Sequence, residues 1–242
     1  MLLQSNDSLA MEIMNAIQLG GIDSVRRLLY SNRDLAAAII RDGKSSRTLL
    51  HIATDWPGHF PNVAATIRLL VASGAEVNPL TGGDVCETPL HWAASSDDMD
   101  AIDALLDSGV EIEAQGAVLG GPSPLSDAVG FGQWKAARRL VERSAFSDMP
   151  HSAALGLMNR LEERFNINPP PNSDEINHAF WYACHGGQRP AAEYLLIHGA
   201  DLNWLPPWED LTPLDTARRG GTMELADWLQ SIGAGSAKEM KE

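Results

Sequence analysis

The stretch Thr88-Pro89-Leu90-His91-Trp92-Ala93-Ala94 most narrows what this chain can fold into. Thr88 suits a helix N-cap, because its hydroxyl can accept from the free N–H groups of the first turn. Proline loses no hydrogen bond at the first helical position, and Pro89 stands there. Leu90, Ala93 and Ala94 then recur at helical spacing and give one apolar face. The two alanines allow close approach of a neighbouring helix. A second helix follows, with Ile102, Leu105 and Leu106 facing a core and Gly109 ending it in the left-handed conformation. Two such short helices cannot bury their apolar flanks alone, so the chain needs copies of itself alongside.

Copies are present. The positions equivalent to Thr88 are Met11, Thr48, Thr88, Ser123, Ser147, His178 and Thr212, at steps of 37, 40, 35, 24, 31 and 34 residues. Thr212-Pro213-Leu214 repeats the opening closely, Thr48-Leu49-Leu50-His51 and Ser123-Pro124-Leu125 with changes. This pattern resembles the ankyrin repeat, whose period is about 33 residues. The resemblance covers about residues 9–234 and implies an all-α, ankyrin-repeat solenoid of about seven helix–turn–helix units, two irregular, with short finger loops. Residues 1–8 and 235–242 are expected as polar tails. The resemblance further implies that the motif histidines, His51 and His91, tie adjacent loops together. Ser126, Trp181 and Asp215 replace that histidine and leave the tie open at those places.

Several units depart from the pattern. The first, with helices expected over 9–19 and 22–31, lacks the Thr-Pro-Leu-His opening, as a terminal unit can. From Thr48 to Gly74 the second unit runs 26 residues, against 21 from Thr88 to Gly109, so about five residues are inserted at Asp55–Asn62. Pro57, Pro61, Trp56 and Phe60 make that insertion stiff. The third unit has Ser95-Ser96-Asp97-Asp98 where a glycine is usual, which changes how its helices join. Gly116, Gly120 and Gly121 give the next finger loop tight turns. Pro169-Pro170-Pro171-Asn172 closes the short fifth unit as an extended connector.

The formal charge of −14 argues against general binding to nucleic acid or anionic membranes, which takes basic patches, and favours a basic partner. The longest apolar run is too short to span a bilayer. Met1–Asp7 has no basic start and no long apolar core, so no secretion signal is expected. Cys86 and Cys184 lie in different units, which suits a reduced, cytoplasmic protein, and stand-alone bacterial ankyrin proteins are a plausible home. Cys184 is expected in the core.

No catalytic, phosphate-binding or metal-ligand motif is present, so no cofactor and no metal are expected. In ankyrin-like arrays, contacts come from finger loops and the exposed side of the first helix. Carried over by motif, the residue after the motif histidine is Ile52, Trp92, Asp127, Tyr182 or Thr216. The expected binding set is Asp55, Trp56, His59, Trp92, Ser95, Ser96, Asp127, Phe131, Tyr182, His185, Trp204 and Trp208, an aromatic groove with polar groups among the rings. Aromatic side chains give large contact area at low entropy cost, which suits an anchor site. Trp134 and Trp228 lie on second-helix stripes and are expected to pack. The leading expectation is a non-catalytic module that holds a protein or peptide segment. The alternative is a small-molecule-binding protein, or an unorthodox enzyme, using Asp127 and His185.

Overall fold

A computed structural model of the chain describes residues 1–82, 86–116 and 121–241. Gly120 and Glu242 therefore lie outside the described residues. The chain forms two compact units, Met1–Ala145 and Phe146–Glu242. The division falls before the shortened fifth helix pair, inside the span 9–234 read as one domain from the sequence.

The first unit holds four helix pairs: α1 (Ser8–Gln18) with α2 (Ile22–Ser31), α3 (Leu49–Thr54) with α4 (Val63–Ala72), α5 (Pro89–Ser95) with α6 (Met99–Asp107), and α7 (Pro124–Gly130) with α8 (Trp134–Glu142). First helices pack on first helices in the order α1, α3, α5, α7, and second helices in the order α2, α4, α6, α8. Leu49, Leu50, Leu90, Ile102, Leu105, Leu125 and Leu140 are all fully buried, and alanines line the contacts between them. Burying a leucine or isoleucine side chain is worth about 1.5–3 kcal/mol, so this apolar layer, shared between neighbours, holds the unit together. Gly109 takes φ +88°, the left-handed end expected of it.

A small sheet departs from the purely helical expectation. Strands β1 (Leu2–Gln4), β2 (Ile39–Asp42) and β3 (Ser45–Thr48) lie in the order β1-β2-β3. β1 runs parallel to β2 with Leu2 opposite Ile39, and β2 pairs antiparallel with β3 through a two-residue turn at Gly43-Lys44. Residues 2–4 are thus structured rather than tail. Leu35, Ala36 and Ala38, which lead into β2, and Ile40 within it are buried.

The second unit holds α9 (Met149–Leu155) with α10 (Met158–Phe165), α11 (Ser173–His185) with α12 (Arg189–Ile197), and α13 (Pro213–Arg219) with α14 (Met223–Ser231). Its core joins Leu161, Ala179, Phe180, Ala183, Cys184, Leu195, Leu214 and Leu229. Burial pushes the Cys184 thiol far up, so it is an inert core group. α11 starts earlier than the repeat alignment on His178 implies. Asn172 Oδ1 accepts from the Glu175 N–H at 3.0 Å, and Glu175 Oε2 accepts from the Asn172 N–H at 2.8 Å. That reciprocal cap fixes the helix start at Ser173 and draws His178 inside the helix. The end of the chain is tied as well: Ala237 is buried, and Glu239–Lys241 form a 3-10 turn.

Trp134 and Trp228 are each partly buried, and the Arg189 guanidinium lies 5.0 Å from the Trp228 ring centre.

Candidate functional site

The loops that carry the candidate residues are held by side chains at one repeated position. Thr48 donates its backbone N–H to His51 Nδ1 at 3.3 Å, so that nitrogen accepts. His51 Nε2 then donates to the Glu87 carbonyl at 3.0 Å, one repeat further on. His91 repeats the scheme, with Thr88 N–H to Nδ1 at 3.1 Å and Nε2 to the Pro122 carbonyl at 3.2 Å. Both rings are buried and neutral. Burial is the main cause that lowers the His51 pKa to about 4, and it lowers His91 likewise. The expected loop-tying role of these histidines is observed.

The substitutions at this position behave differently from one another. Trp181 donates its indole N–H to the Leu211 carbonyl at 2.9 Å. Leu211 precedes Thr212 as Glu87 precedes Thr88, so the indole makes the tie that histidine makes elsewhere. Asp215 reverses the sense. Its Oδ2 accepts from the Thr212 hydroxyl at 2.9 Å and from the Ala237 N–H at 2.7 Å, which pins the C-terminal segment. Ser126 pairs with Ser123 inside its own turn.

The insertion after α3 builds one wall of a cleft in the first unit. Gly58 sits at φ +73°, where a Cβ would come within 2.9 Å of Ser96, so only glycine fits this close turn. His59 donates its backbone N–H to Asp98 Oδ2 at 2.6 Å and its Nε2 to the Ser96 carbonyl at 3.0 Å. Asp98 also caps α6 through Ala101 N–H at 3.0 Å. In the joint that lacks its glycine, Asp97 itself takes φ +55° and accepts from Ala136 N–H of α8 at 2.7 Å. Aspartate tolerates that region better than most residues, and here its carboxylate gains a partner by doing so. The inserted loop and the Ser-Ser-Asp-Asp joint thus brace each other.

The resulting cleft encloses about 220 Å³ and is lined by Asp55, Trp56, Glu87, Trp92, Ser95, Ser96 and Phe131. Trp56 is 81% exposed and Phe131 47% exposed. Asp55 is already balanced by Arg47 Nη1 at 2.6 Å. Glu87 is not balanced by any cation among the described residues within ion-pair distance; its Oε2 accepts from the Trp92 indole N–H at 3.0 Å. Burial is the main cause that raises the Glu87 carboxyl above its usual range, and the Trp92 bond offsets part of it. The Trp92 ring is fixed on its other side by the His51 ring, edge to face at 5.0 Å between centres. Glu87 was absent from the sequence-derived set. Its signal was there, five residues before Trp92, within reach of an indole one turn into the helix.

Of the twelve expected residues, Asp55, Trp56, Trp92, Ser95, Ser96 and Phe131 meet in this cleft. His59 belongs to the same unit but braces the loop. Asp127 is a correction: it is 0% exposed within α7 and does not line the cleft. Ile52 and Thr216 are buried as well. At Ile52 the position after the motif histidine is covered because α1 and α5 pack on either side of α3. Only the larger Trp92 reaches past that cover.

Tyr182, His185, Trp204 and Trp208 lie in the second unit. Tyr182 is 4% exposed, not the surface residue expected, and burial pushes its hydroxyl up to about 12. Trp208 is half exposed and packs against His178 at 4.8 Å, Trp204 at 5.7 Å and Trp181 at 6.0 Å between ring centres. His185 stacks on Trp181 at 5.5 Å, and Arg219, paired with Glu209, covers another part of the Trp181 ring. His178 has its pKa lowered, mainly by burial. These rings are packed largely against one another. Among the described residues no group of three or more histidine, cysteine or carboxylate side chains gathers to hold a metal, and no helix is long and apolar enough to cross a membrane.

Comparison with known proteins agrees with the fold. The ankyrin repeat family matches residues 87–114, the α5–α6 pair and its flanks. A Danio rerio protein named as palmitoyltransferase ZDHHC13 is 29% identical over 105 residues, which is 43% of this chain and 15% of that protein. The crystal structure of the human ASB11 ankyrin repeat domain is similar, with a TM-score of 0.51 and 21% identity, over 93% of this chain and 89% of that one. The chain carries an ankyrin repeat at residues 87–114 and has the ankyrin-repeat fold.

Proposed function

We propose that the chain is a non-catalytic binding module that holds a segment of a protein partner across the cleft of its first unit. The observation that carries this reading is the pairing of two exposed rings, Trp56 and Phe131, with the carboxylate of Glu87, which has no cation partner among the described residues, in one braced cleft. Exposed aromatic groups cost solubility unless something covers them, and a partner is the ordinary cover. A cleft of about 220 Å³ falls below the roughly 300–1,000 Å³ of small-molecule sites. It suits side chains of a larger partner. The charge of −14 favours a partner with basic groups over nucleic acid or an anionic membrane. The burial of Asp127 weighs against the acid–base alternative.

The test is selection of binders from a random dodecapeptide library on the full chain, followed by affinity measurement on a Trp56→Ala/Phe131→Ala variant. Selected peptides should lose about tenfold or more in affinity, as anchors at an interface centre do. Peptides that bind the variant as tightly as the parent chain would remove the cleft from the account.

A further inference from the structure

We propose that the cleft receives a single cationic side chain of the bound segment, arginine above all, with Glu87 as counter-ion and Trp56, Trp92 and Phe131 as walls. This inference rests on the segment-binding reading above and adds what the cleft selects.

Two carboxylates line the cleft, but they are not equivalent. Asp55 uses Oδ2 on Arg47 and Oδ1 on the Trp56 N–H at 2.9 Å, so its charge is already matched and each of its oxygens has a donor. Glu87 has a neutral donor only. One acidic charge in the cleft therefore stands without a positive partner among the described residues, and it is partly desolvated. A carboxylate in that condition gains most from a cation placed against it.

The Glu87 backbone is fixed. Its N–H donates to the Thr81 hydroxyl at 3.1 Å, and its carbonyl accepts from the Thr81 N–H at 2.9 Å and from His51 at 3.0 Å. The Trp92 indole then holds the side chain itself. A carboxylate can accept about four hydrogen bonds, so capacity remains on Glu87 after the Trp92 bond. The site is thus pre-organised, and a ligand would not need to order it.

The walls are aromatic. A cation over a ring face is attracted by the ring quadrupole, most strongly over tryptophan. A guanidinium is planar, stacks on rings and presents several donors to a carboxylate, which fits these walls better than a compact ammonium. Ser95 and Ser96 complete the lining without adding positive charge.

The experiment uses N-acetyl-arginine methylamide as probe, followed by the Trp92 indole N–H signal in a ¹⁵N-labelled full chain. Its control is the citrulline analogue, which has the same shape without the charge. The arginine probe should shift the Trp92 signal saturably in the millimolar range, the citrulline probe should not, and added salt should weaken the shift. Glu87→Gln, which still accepts from Trp92, should weaken arginine binding about fivefold or more. Equal shifts from arginine and citrulline, no shift from arginine, or unchanged binding in Glu87→Gln would each overturn the inference. Library peptides that need Trp56 and Phe131 yet carry no basic residue would overturn it too, while leaving segment binding in place.

Discussion

Rings cluster in both units, but they meet different fates. In the first unit Trp56 and Phe131 face water around a cleft in which Glu87 has no cation partner among the described residues. In the second, Trp181, Tyr182, His178, Trp204 and Trp208 pack on one another, and Arg219 is already paired with Glu209. Equivalent repeat positions can therefore serve either the fold or a surface. The choice depends on how many rings the next finger loop supplies. Trp204 and Trp208 cover their neighbours in the second unit, whereas the inserted loop of the first stands its tryptophan at the rim.

The largest effect that could separate the two regions is on stability. Trp181→Ala removes a buried ring and a loop tie and should cost about 3–5 kcal/mol. Trp56→Ala should change stability by no more than about 0.5 kcal/mol. Urea titration of both variants decides this, and equal losses would erase the distinction. Leu105→Ala, in the first unit's core, should cost about 2–5 kcal/mol by the same measurement; a loss well under that would misplace α6. Trp181→Phe keeps the ring but leaves the Leu211 carbonyl without its donor, and should cost about 1–3 kcal/mol.

A pH dependence follows from the histidine ties. His51 binds a proton more readily unfolded, near pH 6.5, than folded, near about 4. The unfolded chain thus holds more protons in that window, and stability should fall as pH drops from 6.5 towards about 4, with His91 and His178 acting in the same direction. Glu87 has the opposite sign, because its folded pKa is raised. A His51→Gln chain should show a shallower fall than the parent when urea midpoints are compared at several pH values. A parent chain as stable at pH 4.5 as at pH 7 would contradict the assignment of neutral, donor–acceptor histidines.

The smallest effect lies at the chain's end. Asp215→Ala removes the acceptor for Ala237 and the cap partner of Thr212, and should cost about 1 kcal/mol. Amide exchange at Ala237 should quicken in that variant, and an unchanged rate would mean the segment is held by other contacts.

Helix pairs were legible in the sequence because Thr-Pro-Leu and the paired alanines report local rules, namely capping and close approach. α3, α5, α7 and α13 begin directly after Thr48, Thr88, Ser123 and Thr212 for that reason, and α1 and α2 lie within one residue of the spans expected from their apolar spacing. The loop-tying histidines were legible from the motif. Other features depended on neighbours far along the chain. The burial of Tyr182 is set by α9 and α13 packed on either side of α11, and that of Asp127 by packing within the first unit, neither of which the repeat position alone discloses. Trp181 replacing histidine in the Leu211 tie could be seen only once both groups were in place. The start of α11 was readable in principle, since Asn172 and Glu175 form a cap pair, but the repeat register pointed to His178. In the cleft, six of seven lining residues were anticipated, and the seventh, Glu87, supplies its charge.

The most direct measurement compares one library-selected peptide on two double variants of the full chain, Trp56→Ala/Phe131→Ala and Trp204→Ala/Trp208→Ala, by isothermal titration. The account predicts that the first pair weakens binding by about tenfold or more and that the second leaves it within about twofold. Binding that survives the first pair and is lost with the second would place the partner on the other unit and contradict the account.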